Sequence, residues 1–159
     1  MAFPTGRNEH MATEPLSIVL ADDDDGHATL IQRNLQRSGV VNGFFRVKDG
    51  QEALDLIRGE GSYVDQPPRG NFLLLLDINM PRVDGIEVLR RLKGDTRTNA
   101  IPVIMLTTTD DPREVERCYQ LGCSVYVTKP VEYTAFMEAI NRLGLFLQVV
   151  RVPSTGPVA

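Results

Sequence analysis

Residues 71–85 read NFLLLLDINMPRVDG. Five apolar residues in a row, Phe72–Leu76, run straight into Asp77. A continuous apolar run of this length, instead of an alternating one, signals a strand covered on both faces. Past Gly85 the spacing changes, with Ile86, Leu89 and Leu92 at helical intervals and a stop at Gly94. A buried strand, an aspartate at its end and then an amphipathic helix form one half of a parallel α/β unit.

The same unit recurs on both sides of this stretch. Leu16–Ala21 is a short apolar strand broken by the acidic run Asp22–Asp25. A helix follows through Leu30, Ile31, Leu35 and Val40, with Gly39 as its stop. Phe44–Val47 reads as a second strand. Asp49 is placed as an N-cap, with Glu52 closing a capping box and Ala53, Leu54 and Ile57 on the helix behind it. Gly59–Gly70, with Pro67 and Pro68, is a long loop for a compact α/β domain. Pro102–Leu106 is a fourth strand and runs into Thr107. Asp111 and Pro112 open a helix at the positions these residues favour, and Gly122 ends it. Val125–Val127 is a fifth strand followed by Lys129-Pro130, and Glu132–Leu147 is the last helix. Five βα units predict a parallel sheet with helices on both faces. Residues 1–14 read as a flexible arm, 15–147 as the folded domain and 148–159 as a C-terminal extension that frays.

Composition narrows the class without naming an activity. A chain of 159 residues, 42% hydrophobic and 24% charged, suits one globular domain. A net charge of −4 argues against nucleic acid as a partner, because that affinity rests on cations that neutralise phosphates. No apolar run is long enough to span a membrane, and the N-terminus lacks a signal-peptide core. Two cysteines, Cys118 and Cys123, are too few for a disulfide scaffold and are expected to be inert. The expectation is a reduced, cytoplasmic protein.

In an open parallel sheet, ligands bind beyond the carboxyl ends of the strands. Asp22 and Asp23 lie at the end of the first strand, Asp77 at the third, Thr107 at the fourth and Lys129 at the fifth. Clustered carboxylates repel unless a divalent cation shares them, and an all-oxygen donor set suits Mg²⁺. His10 and His27 are isolated, so zinc is not indicated, and the aspartate spacing is not that of an EF-hand. A divalent cation beside a carboxylate and an ammonium is equipment for phosphoryl transfer, with an aspartyl phosphate as product. His27 reads as a structural residue or a partner contact, and Asp24 and Asp25 as caps of the first helix.

Asp22-Asp23, LLLLDINMPRVDG, VIMLTTT and YVTKP together resemble the motif set of the bacterial response-regulator receiver domain, of the chemotaxis type. The likeness covers roughly residues 16–147. It implies a flavodoxin-like (βα)5 three-layer sandwich with strand order 2-1-3-4-5. It further implies that Asp77 is the phosphoacceptor, that Asp23 binds metal directly and that Asp22 does so mostly through water. The main-chain carbonyl of Asn79 is the third protein ligand by the same likeness. Thr107 resembles the switch hydroxyl, Lys129 the cation that pairs with phosphate, and Tyr126 the aromatic that turns inward. The Lys129-Pro130 bond resembles the family's cis peptide. Asn79 and Thr109 occupy positions that tune dephosphorylation in the family. The long loop and the Gly26-His27 pair resemble the small regulators partnered with bacterial phytochrome histidine kinases, which implies such a kinase as partner.

Twelve residues follow Leu147, too few for an effector domain, so output is expected through protein contacts or onward phosphotransfer. Phe136, Ile140, Leu143 and Leu147 form one helix face. Leu145, Phe146, Val149, Val150 and Val152 are apolar groups which that face cannot bury, and they predict a homodimer. The alternative is a tail folded back over its own sheet edge. The protein is expected to be a switch and not a turnover enzyme, with self-phosphorylation and autodephosphorylation at most. Two rivals stay open. A phosphorylation-independent scaffold could share the fold. An aspartyl-phosphate phosphatase of the haloacid-dehalogenase type needs a second Asp where Asn79 stands.

Overall fold

The computed structural model describes residues 16–39, 41–64 and 71–152. The arm at 1–14, Val40 and most of the loop before Asn71 therefore lie outside the described residues. The strands are β1 (Leu16–Ala21), β2 (Val41–Val47), β3 (Asn71–Leu76), β4 (Val103–Thr107) and β5 (Val125–Thr128). The α-helices are α1 (Asp25–Arg37), α2 (Gly50–Arg58), α3 (Gly85–Lys93), α4 (Pro112–Leu121) and α5 (Tyr133–Val149), with a short 3-10 turn at Gly61–Tyr63. All strand pairs are parallel, in the order β2-β1-β3-β4-β5. This is the flavodoxin-like three-layer arrangement.

Alternation along the strands builds two separate cores, because successive side chains of a strand point to opposite faces. Leu16, Ile18 and Leu20 of β1, Leu73 and Leu75 of β3, and Ile104 and Leu106 of β4 face α1 and α5. Val19, Ala21, Phe72, Leu74, Leu76, Val103 and Met105 face α2, α3 and α4. Phe136, Ile140, Leu143 and Leu147 pack onto the first of these cores, as their helical spacing predicts.

Local signals explain the helix starts. Asp24, Asp49, Asp84 and Asp111 each accept a main-chain N–H from the first turn that follows. Glu52 departs from a closed capping box: its Oε2 accepts from Lys48 N at 3.1 Å, one residue before the cap. Asp25 lies in the first turn of α1 and pairs with Arg46 at 2.7 Å. Strand β2 begins three residues before the predicted Phe44. Gly43 is a poor strand former, and its pairing with Ser17 of β1 overrides that weakness, while Asn42 falls at a shift in the register.

Two expectations are corrected. The Lys129-Pro130 bond is trans, since no described peptide bond is cis. Trans is the lower-energy isomer even before proline. Val150 is not part of an exposed apolar patch, because Val150 and Val152 pack against the α1/α5 core. Leu145, Phe146 and Val149 do stay exposed on α5. Among the described residues no helix is long and apolar enough to cross a membrane.

Candidate functional site

Strand order reverses direction between β1 and β3, and the carboxyl ends of these two strands border the crevice where such sheets bind ligands. The sheet ladder continues one step past the strands and fixes the site's backbone. Asp22 N donates to Val47 O at 3.1 Å, Asp77 N to Ala21 O at 3.0 Å and Lys129 N to Thr107 O at 2.7 Å. Each side chain thus hangs from the first residue beyond a ladder, where the register sets its direction.

The side chains of Asp22, Asp23, Asp77 and Lys129 come together, and Thr107 joins them through its carbonyl, which accepts from Lys129 N. Asp22, Asp77, Thr107 and Lys129 are buried, and Asp23 is exposed. Lys129 Nζ is the hub. It donates to Asp22 Oδ2 at 2.6 Å and to Asp77 Oδ2 at 3.1 Å. Oxygens of Asp22, Asp23 and Asp77 lie within 4.8 Å of one another. Burial is the main influence on Asp22 and raises its carboxyl above the usual range, although the Lys129 ammonium pulls the other way.

The donor set is all oxygen, and three carboxylates face a single ammonium. A hard divalent cation fits that excess of negative charge and that ligand chemistry. Asp22 has both oxygens engaged within the protein, Oδ1 by Asp24 N at 2.9 Å and Oδ2 by Lys129. Asp23 has no side-chain hydrogen bond among the described residues. Asp23 is therefore the carboxylate freer to take up a cation, and Asp22 the more committed one.

Around the hub, Asn79 and Thr109 meet across the loops after β3 and β4. Asn79 Nδ2 donates to Thr109 Oγ1 at 3.3 Å. Thr109 N approaches Thr107 Oγ1 at 3.5 Å, and Asn79 N approaches Asp77 Oδ1 at 3.4 Å. Tyr126 is half-buried against the α2–α4 core, and its hydroxyl donates to Thr109 O at 2.5 Å. Burial pushes its phenol up to about 12.

Three neighbours of the site were not legible in the sequence. His27 Nδ1 lies 3.2 Å from Lys129 Nζ, so this histidine is a site neighbour and not only the structural or partner-contact residue expected from its sequence. Its place in the first turn of α1, four residues after Asp23, was a usable signal. Arg46 donates twice to the Asp22 carbonyl, at 3.0 and 2.8 Å, and so steadies the end of β1 from β2. Gly85 brings the start of α3 against the end of β3. A Cβ there would lie 2.0 Å from Asp77 O, and Gly85 N donates to Ile78 O at 2.8 Å.

A sequence profile of the response regulator receiver domain matches residues 18–141. The response regulator Rcp1 of Synechocystis sp. is 31% identical over 141 residues, which are 88% of this chain and 95% of Rcp1. The Mn(2+)-bound form of Rcp1 matches with a TM-score of 0.82 over 87% of this chain and 99% of that one. A response regulator receiver domain from Rhodospirillum rubrum is 45% identical, with a TM-score of 0.78 over 88% of this chain and 99% of that one. The phosphorylated cyanobacterial phytochrome response regulator RcpA is 31% identical, with a TM-score of 0.79 over 89% of this chain and all of that one.

Proposed function

The chain belongs to the response regulator receiver domain family of two-component signalling, and from that premise we propose that it accepts a phosphoryl group on Asp77 from a histidine kinase and signals through a protein-binding surface. One observation carries this reading: a buried lysine joins two buried aspartates at the strand-order switch, with a third carboxylate close by.

In the proposed reaction, an Asp77 oxygen bonds to phosphorus while the P–N bond of a phosphohistidine breaks and the imidazole leaves. Lys129 already touches Asp77 and would pair with a phosphoryl oxygen carried there. Asp22, Asp23, Asp77 and the main-chain carbonyl of Asn79 would hold Mg²⁺, whose charge offsets that of the phosphoryl oxygens when it is bound. Thr107 offers a buried hydroxyl on the neighbouring strand. A shift of Thr107 toward the phosphoryl group draws on the segment to Thr109, and Tyr126 is anchored on the Thr109 carbonyl. Tyr126 then loses or follows its acceptor, and the surface of α4, β5 and α5 changes with it. This is a population shift between two states and not turnover of a substrate.

The similarity to Rcp1 and RcpA supports a phytochrome-linked kinase as donor. The exposed Leu145, Phe146 and Val149 support a homodimer built on α5. The site's chemistry needs no membrane and no nucleic acid, and a cytoplasmic location suits a kinase-fed switch.

The test is intact mass after incubation with acetyl phosphate and Mg²⁺. One labile phosphoryl adduct is expected in the native protein, and none in Asp77→Ala or in chelator. An adduct that persists in Asp77→Ala refutes the assignment. Failure to bind a beryllofluoride mimic, together with no adduct, would leave a receiver fold used only as a scaffold.

A further inference from the structure

Lys129 has three N–H donors and no acceptor. Asp22 and Asp77 take two of them, and the third points at His27 Nδ1, 3.2 Å away. An ammonium cannot accept a hydrogen bond, so at this distance Nδ1 must be the acceptor. The neutral ring then carries its proton on Nε2. His27 is fixed from two other directions. Its main-chain N donates to Asp24 Oδ1 at 2.9 Å, and its ring stacks on Phe136 of α5 with centroids 5.0 Å apart and planes 28° apart. The charged groups facing the ring are Asp24, whose Oδ2 lies 3.6 Å from Nδ1, and Lys129; α5 presents the apolar face of Phe136.

We infer that His27 is a positioning residue for Lys129, holding the ammonium through Nδ1 where it can meet a phosphoryl group on Asp77. The inference rests on the phosphoacceptor reading for its functional half only. Lys129 is 2% exposed, so water does not readily replace a lost partner there. With the third acceptor gone, the ammonium collapses onto Asp22, its shorter contact, and retreats from Asp77. Because Phe136 supports the imidazole, the first turns of α5 and the lysine's reach toward Asp77 share one prop. A motion of α5, whose far end carries the exposed Leu145, Phe146 and Val149, therefore has a direct route to the cation of the site.

The experiment uses the full chain with His27→Gln and His27→Leu. Gln keeps a side-chain oxygen that accepts from Lys129, whereas Leu keeps bulk against Phe136 and offers no acceptor. Phosphoryl uptake from acetyl phosphate is read by intact mass, and folding by thermal melts. Uptake by the Leu variant should fall about tenfold, the scale of loss when a group that orients a reactive residue is removed. The Gln variant should recover most of it. Nitrogen-proton correlation NMR of the native protein at mildly alkaline pH should show His27 as the Nε2–H tautomer. An Nδ1–H tautomer overturns the inference, and so does native-rate uptake by His27→Leu. If the native protein takes no phosphoryl group at all, the phosphoacceptor reading fails. The tautomer, and the shift of the Lys129 ammonium resonance in His27→Leu, still decide the contact.

Discussion

Two glycines in this fold should respond to the same added methyl group with opposite signs. At Gly85 a Cβ would stand 2.0 Å from Asp77 O and 2.8 Å from both Asp77 C and Ile78 Cα. These are backbone atoms at the end of a central strand, so no rotamer change relieves the clash. The start of α3 has to move by an ångström or more and gives up the bond from Gly85 N to Ile78 O. Overpacking costs roughly 1–3 kcal/mol and the lost bond about 1 more, which places Gly85→Ala about 3 kcal/mol below the native protein. For a domain of this size that is a fall in Tm of roughly 10 °C. The strain falls on the Asp77 carbonyl, so phosphoryl uptake should drop as well. At Gly144, inside α5, a Cβ would meet only Leu35 Cδ2 and Ser38 Cβ, both at 3.8 Å. That is ordinary contact, and Gly144→Ala should stabilise by about 0.5–1 kcal/mol through the lower entropy of its unfolded chain. Thermal melts by circular dichroism of both variants decide the matter. A Gly85→Ala protein melting within about 2 °C of native, or a destabilised Gly144→Ala protein, would refute the close-approach argument.

Three further perturbations follow from the same geometry. Asp22 has a raised pKa in the fold, so the native state keeps its proton to higher pH than the unfolded chain does. Its contribution is most favourable at acid pH and is lost as pH rises from 3.8 through the raised folded value. Asp22→Asn should therefore melt higher than native at pH 7 in chelator and gain less from added Mg²⁺; a lower melt in chelator would contradict the burial argument. Thr98 is fully buried and its hydroxyl donates to Leu92 O at 2.7 Å. Thr98→Val leaves that carbonyl only longer main-chain donors such as Asp95 N at 3.4 Å and should cost about 1 kcal/mol in urea denaturation, with no change in the Asp77 adduct. Tyr126→Phe should remove the absorbance step at about pH 12 from a spectrophotometric titration. A step lost well below that value would place Tyr126 in a more open setting.

What could be read from the sequence follows the range of the physical signal. Strand β1 and its buried apolar run coincide with the predicted Leu16–Ala21, because a buried strand between two neighbours declares itself locally. The cap at Asp111-Pro112 is equally local. Strand-end residues could be grouped because the topology places every carboxyl end at one pole. Contacts across the chain were harder. The His27–Lys129 approach spans 102 positions and depends on how α1 and α5 pack, which no local pattern encodes. Val150 reads as part of a dimer face because the sequence does not choose between that face and a tail folded over its own sheet edge; in the fold Val150 and Val152 pack against the α1/α5 core. Gly85 marks only the point where the helical spacing begins in the sequence, and its close approach to Asp77 O appears only when β3 and α3 are set side by side.

The ladder bonds at Asp22, Asp77 and Lys129 give this molecule one pole that tolerates editing and one that does not. Position at the site is measured by counting residues along a paired strand, so one residue added within β3 would turn Asp77 toward the opposite layer and exchange the two cores. Connections that enter strands from the other pole carry no such count. The segment between Tyr63 and Asn71 joins β3 at its starting end, outside the paired residues of β1, β2 and β3 whose registers orient the acidic cluster. Lengthening it leaves the ruler intact. Lineages of this domain can therefore change length there, and an engineer can splice a reporter into it, without shifting the acceptor carboxylate.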